Sequence, residues 1–562
     1  MSVGIRQLET DVLILGGGLA ALRAAIAAVS AGARVAVMTK GTAGRAGSSA
    51  ITSAGFSVAI GQADPADSPQ SHFADTIRGG GVNRRRLVEI FCEEAPARFW
   101  EMVSWGVQFE RDAGTGRILQ HPSGDHSHPR TAVCVQHKGI GMTLPLRAAA
   151  AGVEFLDRII ALDLMHDENG VSGVVALDQQ TLELLAVRAR ATILATGGIG
   201  QLYPVTSNPN DVTGDGLALA YRAGARLVDM EFMQFYPWRL ISYVTGRMPV
   251  QPSSFVAGAV LRNADSERFM PRYDPERGDA TTRDIAARAI YTEILEGRGV
   301  NGGVRLDLSQ APLEEFIRLN PRVGRYFSDH GLDLAPAELI LAPEAHFLMG
   351  GVVIDENGRT SLPGLLAAGE VSGGSDGGNR LDSNAIPAGQ VFGRRAGLAA
   401  AADAAARGGA GPGQEAVSRW ASRFGRRAGQ RAPGPGNGAG NGAGSGIDRK
   451  DIKRRINDLM LRAAGIRRDG ARLAEGVRGA AILEADYLAA AAGPRDALAA
   501  IELENMALVA SIVVRAAEFR TESRAAHYRD DYPVRDDAHW FANVYACQDA
   551  DGQMALTKEA IK

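Results

Sequence analysis

The sequence predicts an α/β protein with three parts: a parallel-sheet domain built from separated stretches of chain, an inserted second domain, and a helical C-terminal domain. Three observations predict it. A short apolar strand runs through a glycine turn into an amphipathic helix within residues 11–38. The same strand-to-glycine junction recurs at 191–200 and 364–374, so the sheet domain is discontinuous and interrupted over roughly 226–340. A Gly/Pro/Ala-rich run then precedes a final stretch rich in Ala, Leu, Arg and Glu.

The first unit can be followed residue by residue. Asp11 precedes Val12-Leu13-Ile14-Leu15, an unbroken apolar run suited to a strand covered on both faces. Gly16-Gly17-Gly18-Leu19-Ala20-Ala21 follows. Leu19, Leu22, Ile26 and Val29 then recur at helical spacing until Gly32. Val35-Ala36-Val37-Met38 is the second strand. In Gly16-x-Gly18-x-x-Ala21 the glycines permit a tight turn and close approach of backbone to a pyrophosphate at the helix N-terminus. Without the flanking strand and helix the pattern could equally be a turn with no ligand. The second strand ends on Thr39-Lys40, with no carboxylate to accept a ribose hydroxyl, which disfavours a plain NAD site.

The second junction runs from Ala191-Thr192-Ile193-Leu194 into Ala195-Thr196-Gly197-Gly198, and the third from Gly364-Leu365-Leu366-Ala367-Ala368 into Gly369-Glu370. The predicted organisation is therefore 1–225 and 341–406 for the sheet domain, 226–340 for the insertion, 407–447 for a linker and 448–562 for the helical domain. The run from Pro433 to Gly446 cannot bury a core and reads as flexible linker.

Composition narrows the function. The chain has 562 residues, 45% hydrophobic and 22% charged, and a net charge of -3, which offers no basic excess to nucleic acid. Cys92, Cys134 and Cys547 lie far apart, so this chain alone supplies neither a four-cysteine iron–sulfur cluster nor a structural zinc site. They form no disulfide framework, which fits a reducing compartment. No apolar stretch approaches the roughly 18 residues of a membrane span, and the N-terminus lacks a secretory pattern. The expectation is a cytoplasmic protein, peripheral to a membrane only through a partner, with no metal site. His126 and His128 read as hydrogen-bonded loop histidines.

Further motifs carry a resemblance. They run from Ser48-Ser49-Ala50-Ile51 through Thr213-Gly214-Asp215-Gly216 to Asp229-Met230-Glu231-Phe232-Met233-Gln234-Phe235-Tyr236-Pro237. Glu267-Arg268-Phe269-Met270, Arg283-Asp284-Ile285-Ala286-Ala287-Arg288 and His346-Phe347-Leu348-Met349-Gly350-Gly351 follow. Gly378-Asn379-Arg380-Leu381-Asp382-Ser383-Asn384 and Arg520-Thr521-Glu522-Ser523-Arg524-Ala525-Ala526-His527 close the set. In this order the chain resembles the flavoproteins of the succinate dehydrogenase/fumarate reductase family, which includes L-aspartate oxidase, over about residues 8–405 and 450–540. The resemblance implies a doubly wound, Rossmann-like FAD-binding domain, an inserted α+β capping domain and a C-terminal helical domain. It implies FAD, held by Gly16, Gly18, Ala21, Thr39, Lys40, Ser48, Ser49 and Gly55 from the first part of the chain. Thr196, Gly197, Asp215, Glu370, Asn384, Ala385 and Ile386 would complete the cofactor site. Relatives that tether the flavin covalently carry a histidine where Ser49 stands, so dissociable FAD is expected.

At the reacting end the resemblance makes Arg283 the proton shuttle. A guanidinium can act so only in a closed, well-aimed site, since its free pKa is above about 12. The alternative is an arginine paired with Asp284 or another carboxylate on a helix surface. Arg380 would clamp the substrate carboxylate by two parallel hydrogen bonds and His346 would donate another. Tyr236 and Gln251 would shape the far end. The departures are equally specific. Tyr236 replaces the histidine that holds a second carboxylate in relatives acting on small dicarboxylates. Gln251-Pro252-Ser253 replaces Thr-Glu-Gly, and Phe255 stands near the place of an arginine, so the glutamate–arginine proton relay is missing. A more apolar far side follows, and with it a monocarboxylate or an acid whose other end is neutral or aromatic. The segment Gly124-Asp125-His126-Ser127-His128-Pro129-Arg130 is similar to one in L-aspartate oxidases, but Ser123 replaces the glutamate before it.

The expected activity is that of an FAD-dependent dehydrogenase or reductase acting on a carbon–carbon bond beside a carboxylate, on a substrate other than a simple C4 dicarboxylate. An amino- or hydroxy-acid oxidase of the L-aspartate oxidase type is the first alternative. A flavin subunit of a larger electron-transfer complex with an iron–sulfur partner is the second. The expected partners are a small carboxylate and an iron–sulfur protein or other electron acceptor. An oligomer is among the expected assemblies.

Overall fold

The structure, a computed structural model, describes residues 5–53, 55–243, 248–411, 413–429, 449–490 and 494–561. The linker run at 433–446 lies outside the described residues. Strand β1 (Ile5–Leu15), helix α1 (Leu19–Ser30) and strand β2 (Val35–Thr39) form the expected β-α-β unit. β1 starts ahead of its apolar run because its polar first half pairs in parallel with Leu184–Leu194, Ile5 opposite Leu184. Val12, Leu13 and Ile14 are fully buried, each contributing about 1.5–3 kcal/mol of apolar burial.

The main sheet has seven strands, in the order Glu154–Asp157, β2, β1, Leu184–Leu194, Gly170–Asp178 and Ile159–Asp167, with Leu365–Ala367 also pairing to Leu184–Leu194. Leu194 lies opposite both Leu15 and Ala367 in parallel register. The three predicted glycine junctions therefore leave neighbouring strands at one edge of the sheet, the carboxyl edge at which α/β proteins bind ligands. Helix Ala385–Ala406 crosses α1 at close range, where a Cβ on Gly397 would stand 2.3 Å from Ala24 O.

The inserted region has its own antiparallel sheet, Met233–Leu240, Leu339–Leu348, Val304–Asp307 and Val260–Arg262. Trp238, Phe255, Phe269, Phe316 and Phe327 form a separate apolar core against it. The return expected at residue 341 falls inside the strand Leu339–Leu348.

Two sequence expectations are corrected. Part of the predicted linker is the helix Gln414–Gly429, whose Ala416 and Trp420 are buried with Ile160 and Leu162 of the main sheet. Trp420 also donates to Asp163 Oδ2 at 3.2 Å. The C-terminal region is also not wholly helical. After helices Arg449–Ala463, Gly470–Ala490 and Pro494–Phe519 come the strands Ala542–Gln548 and Met554–Ala560. Asp549 Oδ1 accepts from the Asp551 and Gln553 amides in the turn between them. The hairpin extends a second sheet by pairing Val228 with Tyr545, while Val228 also pairs with Gly351.

A buried ion network ties this region down. Arg520 is fully buried and donates to Glu231 Oε1 at 2.7 Å and Glu522 Oε1 at 2.9 Å. Arg524 donates to both oxygens of Glu522, and Arg468 to Glu231 O and His527 Nδ1. Among the described residues no helix is long and apolar enough to cross a membrane. Replacing Arg520 with Met should cost about 3–5 kcal/mol by stranding the Glu231 carboxylate in the interior, read as a lower urea midpoint.

Candidate active site

A cavity of about 970 Å³ opens where the three glycine junctions meet the inserted sheet. Its sheet end is a backbone cradle. Gly16 has φ +117°, and a Cβ there would stand 2.1 Å from Ala195 O. A Cβ on Gly17 would meet Ala43 Cα at 2.7 Å. Gly18 opens α1 with no side-chain cap of its own, and Ser49 Oγ accepts from Leu19 N at 3.1 Å. The free N–H groups of this first helical turn make it an anion site. Ser48 Oγ and Thr196 Oγ1 are buried without a partner on the same cavity wall. Glycine cradle, open helix end and unpaired hydroxyls fit the diphosphate and sugars of a dinucleotide.

The predicted cofactor residues Thr39, Lys40, Gly55, Gly197 and Glu370 also line the cavity, as do Asp215, Ala385 and Ile386. Ala21 does not; it is fully buried in the core, where its small size lets α1 pack closely. Asn384 also turns away. Its side chain bonds His72 Nε2 at 2.9 Å and Thr76 Oγ1 at 3.2 Å. Lys40 Nζ donates to Thr213, Asp215 and Glu502. Burial works against that ammonium, but Asp215 and Glu502 hold its pKa above the ordinary value. Burial also lifts the Glu370 carboxyl to about 7, although Leu348 N donates to it.

The opposite end gathers the predicted reacting groups. Arg283 opens the helix Arg283–Leu295 and is 5% exposed; Arg380 is 4% exposed. Both donate to Gln234 Oε1 at 3.2 Å. Gln234 Nε2 is held by Asn379 Oδ1 at 2.9 Å and Arg380 O at 2.7 Å, which fixes its oxygen toward the guanidiniums. Arg283 Nη2 donates to Asp382 Oδ1. Arg283 is thus buried and paired across the cavity with Asp382; Asp284 instead accepts from Thr282 and Asn379. The Nε atoms of Arg283 and Arg380 are buried without partners. Burial, then the charge of Arg283, lowers Arg380 to about 10.

His346 comes from the strand Leu339–Leu348, and its Nδ1 lies 2.7 Å from Ser207 Oγ. With that hydroxyl donating to Nδ1, the proton of the neutral ring is carried on Nε2. Burial, Arg380 and Arg283 hold the ring well below its ordinary pKa, so it is neutral. The Tyr236 ring lies 5.2 Å from that of His346, and the Arg283 guanidinium sits 5.1 Å over it. The Tyr236 hydroxyl is committed to Val250 O at 2.6 Å. Gln251 lines the cavity, its backbone N–H donating to Asn320 Oδ1 at 2.8 Å.

The far wall is less apolar than expected. Beside Tyr236, Pro249 and Pro252 it carries Arg239, Arg318, Arg322 and Glu344. Gln234 and Asp382 stand inside the resembling motifs, yet no local sequence pattern assigns either a role. His126, as expected, is tied to Asp382 O and Ser57 Oγ, and Ser123 bonds Asp125.

Fold and site together define an FAD-dependent oxidoreductase. The profile described as FAD binding domain matches residues 11–386, and that described as Fumarate reductase flavoprotein C-term matches 453–562. The chain is 39% identical over 536 residues to a fumarate reductase (CoM/CoB) polypeptide of Methanothermobacter marburgensis, covering 93% of this chain and 95% of that one. It is 38% identical over 403 residues to an L-aspartate oxidase of Caulobacter vibrioides, covering 70% and 76% of the two chains. Among solved structures it matches an E. coli quinol fumarate reductase FrdA with TM-score 0.88 and 28% identity, covering 99% of this chain and 97% of that one. It matches Mycobacterium smegmatis Sdh1 with TM-score 0.85 and 32% identity, covering 99% and 95%. The chain belongs to the succinate dehydrogenase/fumarate reductase flavoprotein family.

The buried histidines predict the acid limb of stability. Burial holds His346 and His527 well below 6.5 and His72 at about 3. The unfolded chain therefore binds more protons below about pH 6.5. Their contribution is complete above that pH and is lost as pH falls. Raised buried carboxyls such as Glu370 act in the opposite sense over the same range, so the test is residue-specific: the ring-proton resonances of these histidines should not move between about pH 7 and 5, and a ring titrating near 6.5 would contradict its burial.

Proposed function

We propose that the protein adds or removes two hydrogens across a carbon–carbon bond next to a carboxylate, on an acid other than a simple C4 dicarboxylate. One observation carries the reading: two buried guanidiniums, Arg283 and Arg380, converge on Gln234 Oε1 beside a neutral His346 in the same cavity as the glycine cradle. When bound there, FAD supplies or accepts the hydride. Gly16, Gly18, Ser48 and Thr196 would hold it.

Arg380 binds the substrate carboxylate with its free N–H groups, and His346 donates Nε2–H to the same head. Arg283 carries the proton to or from the neighbouring carbon. Its burial excludes competing water. The far end supports an acid larger than a C4 dicarboxylate, or one lacking a second acid group. Tyr236 replaces the second anchor and offers no free hydroxyl. Arg239 is paired with the Glu344 carboxylate, 3.5 Å between Nε and Oε2, which offsets its charge as a second anchor.

The test is anaerobic bleaching of the bound flavin with saturated acids, and reoxidation of reduced enzyme with crotonate, cinnamate, mesaconate and fumarate. Arg283→Gln should lower kcat by about 10²–10⁴-fold with flavin retained. Arg380→Gln should lower kcat/KM at least about 10²-fold, mainly through KM. Succinate or fumarate turned over as well as every monoacid would defeat the substrate assignment.

Ser49 supports dissociable FAD, its hydroxyl being spent on Leu19 N. Trichloroacetic acid should release all yellow colour to the supernatant; a yellow pellet would contradict this. We assign the electrons to an external carrier such as an iron–sulfur protein. Cys92 and Cys134 are buried and Cys547 stands apart, and relatives bear names such as fumarate reductase flavoprotein subunit.

A further inference from the structure

The relay expected behind the proton-bearing arginine is missing. Pro252 and Phe255 occupy its positions, and Phe255 is buried in the inserted core. Arg283 nevertheless meets a carboxylate. Among the described residues its ion-pair partner is Asp382, which approaches from the turn before helix Ala385–Ala406. The Asp382 side chain is 11% exposed and lies on the cavity wall. Its second oxygen, Oδ2, accepts from Thr131 Oγ1 at 3.3 Å and Ser383 Oγ at 3.2 Å. Both hydroxyl-bearing residues also line the cavity. The other partner of Arg283, the Gln234 amide, is neutral and has no acid proton to give. Asp382 is therefore the acid–base group that joins Arg283 to the cavity's hydroxyls.

We propose that Asp382 is the proton relay for Arg283, in place of the missing glutamate–arginine pair. This rests on Arg283 being the proton donor, as proposed above. In the reducing direction an Arg283 N–H bond breaks as a C–H bond forms on the substrate. The neutral guanidine then stands beside the Asp382 carboxylate, which takes a proton at Oδ2 from the Thr131 or Ser383 hydroxyl, itself resupplied by solvent water. Rotation of the carboxyl presents that proton to the guanidine, which re-forms N–H and leaves Asp382 ionised as before. No electrons move in these steps, and the oxidising direction runs the same proton outward. The charged and titratable groups facing Asp382 are Arg283, Arg380 and Tyr236, Asp125 on its amide and His126 on its carbonyl.

The test uses holoenzyme with reduced methyl viologen and whichever of crotonate, cinnamate, mesaconate and fumarate the wild type reduces fastest. Asp382→Asn should keep its flavin, by visible absorbance, and lose about 10²-fold in kcat with KM little changed. Its solvent deuterium isotope effect should rise as proton delivery becomes limiting. Formate should restore Asp382→Gly in proportion to the undissociated acid. A wild-type kcat and pH profile in Asp382→Asn overturns the relay. So does a slowed variant that formate does not restore and whose isotope effect is unchanged, since Asp382 would then only orient Arg283. Arg283→Gln separates the two levels: if it turns over normally, or if the wild type reduces no acid of the panel, the proposed function falls and the relay with it. If Arg283→Gln is dead and Asp382→Asn is fully active, the relay alone falls.

Discussion

Two guanidiniums buried against a single amide oxygen are the arrangement around which the site is organised. Like charges out of water repel strongly and lose their hydration. The structure answers with carboxylates on several sides: Asp382 touches Arg283, and Asp376, Asp382 and Glu370 all act on Arg380. His346 cannot add a third positive charge, because burial and the same two arginines keep it neutral. The guanidinium Nε atoms left without partners mark where further negative charge is still favoured.

That concentration of charge needs a rigid frame from two sources. The parallel sheet brings three glycine junctions to one edge, where close backbone approach replaces side chains. The inserted sheet delivers Gln234, Tyr236 and His346 from two paired strands, Gln234 opposite Phe347 and Tyr236 opposite Glu344. The site therefore exists only where the two parts meet.

What could be read from the sequence follows the range of the interactions. The glycine junctions were legible because a tight turn and an open helix end are local properties. Arg283, Arg380 and His346 were legible through motifs a few residues long. Asp382 as the partner of Arg283 was not, because the pair is 99 positions apart, and neither was Gln234 against Arg380 at 146. The terminal hairpin was missed although Asp549 and Gly552 carry ordinary turn chemistry, because Ala542–Gln548 is buried on both faces and Met554–Ala560 is open on both, so neither strand alternates. The helix Gln414–Gly429 was missed because its glycine-rich neighbours dominated the local composition. The charge on the far wall was missed because Arg318 and Arg322 arrive from elements distant in the chain.

The strands Leu227–Val228 and Gly351–Val353, which lead into and out of the insertion, run side by side. The hairpin Ala542–Gln548 and Met554–Ala560 continues the same sheet. The two lobes are thus joined by a two-stranded neck whose outer brace is supplied by residues far from any chemistry. Softening that brace would loosen the alignment of Arg283, which rides on one lobe, with Asp382 and Arg380, which ride on the other. Defects in the last strands of this architecture should therefore surface as poor turnover before they surface as unfolding.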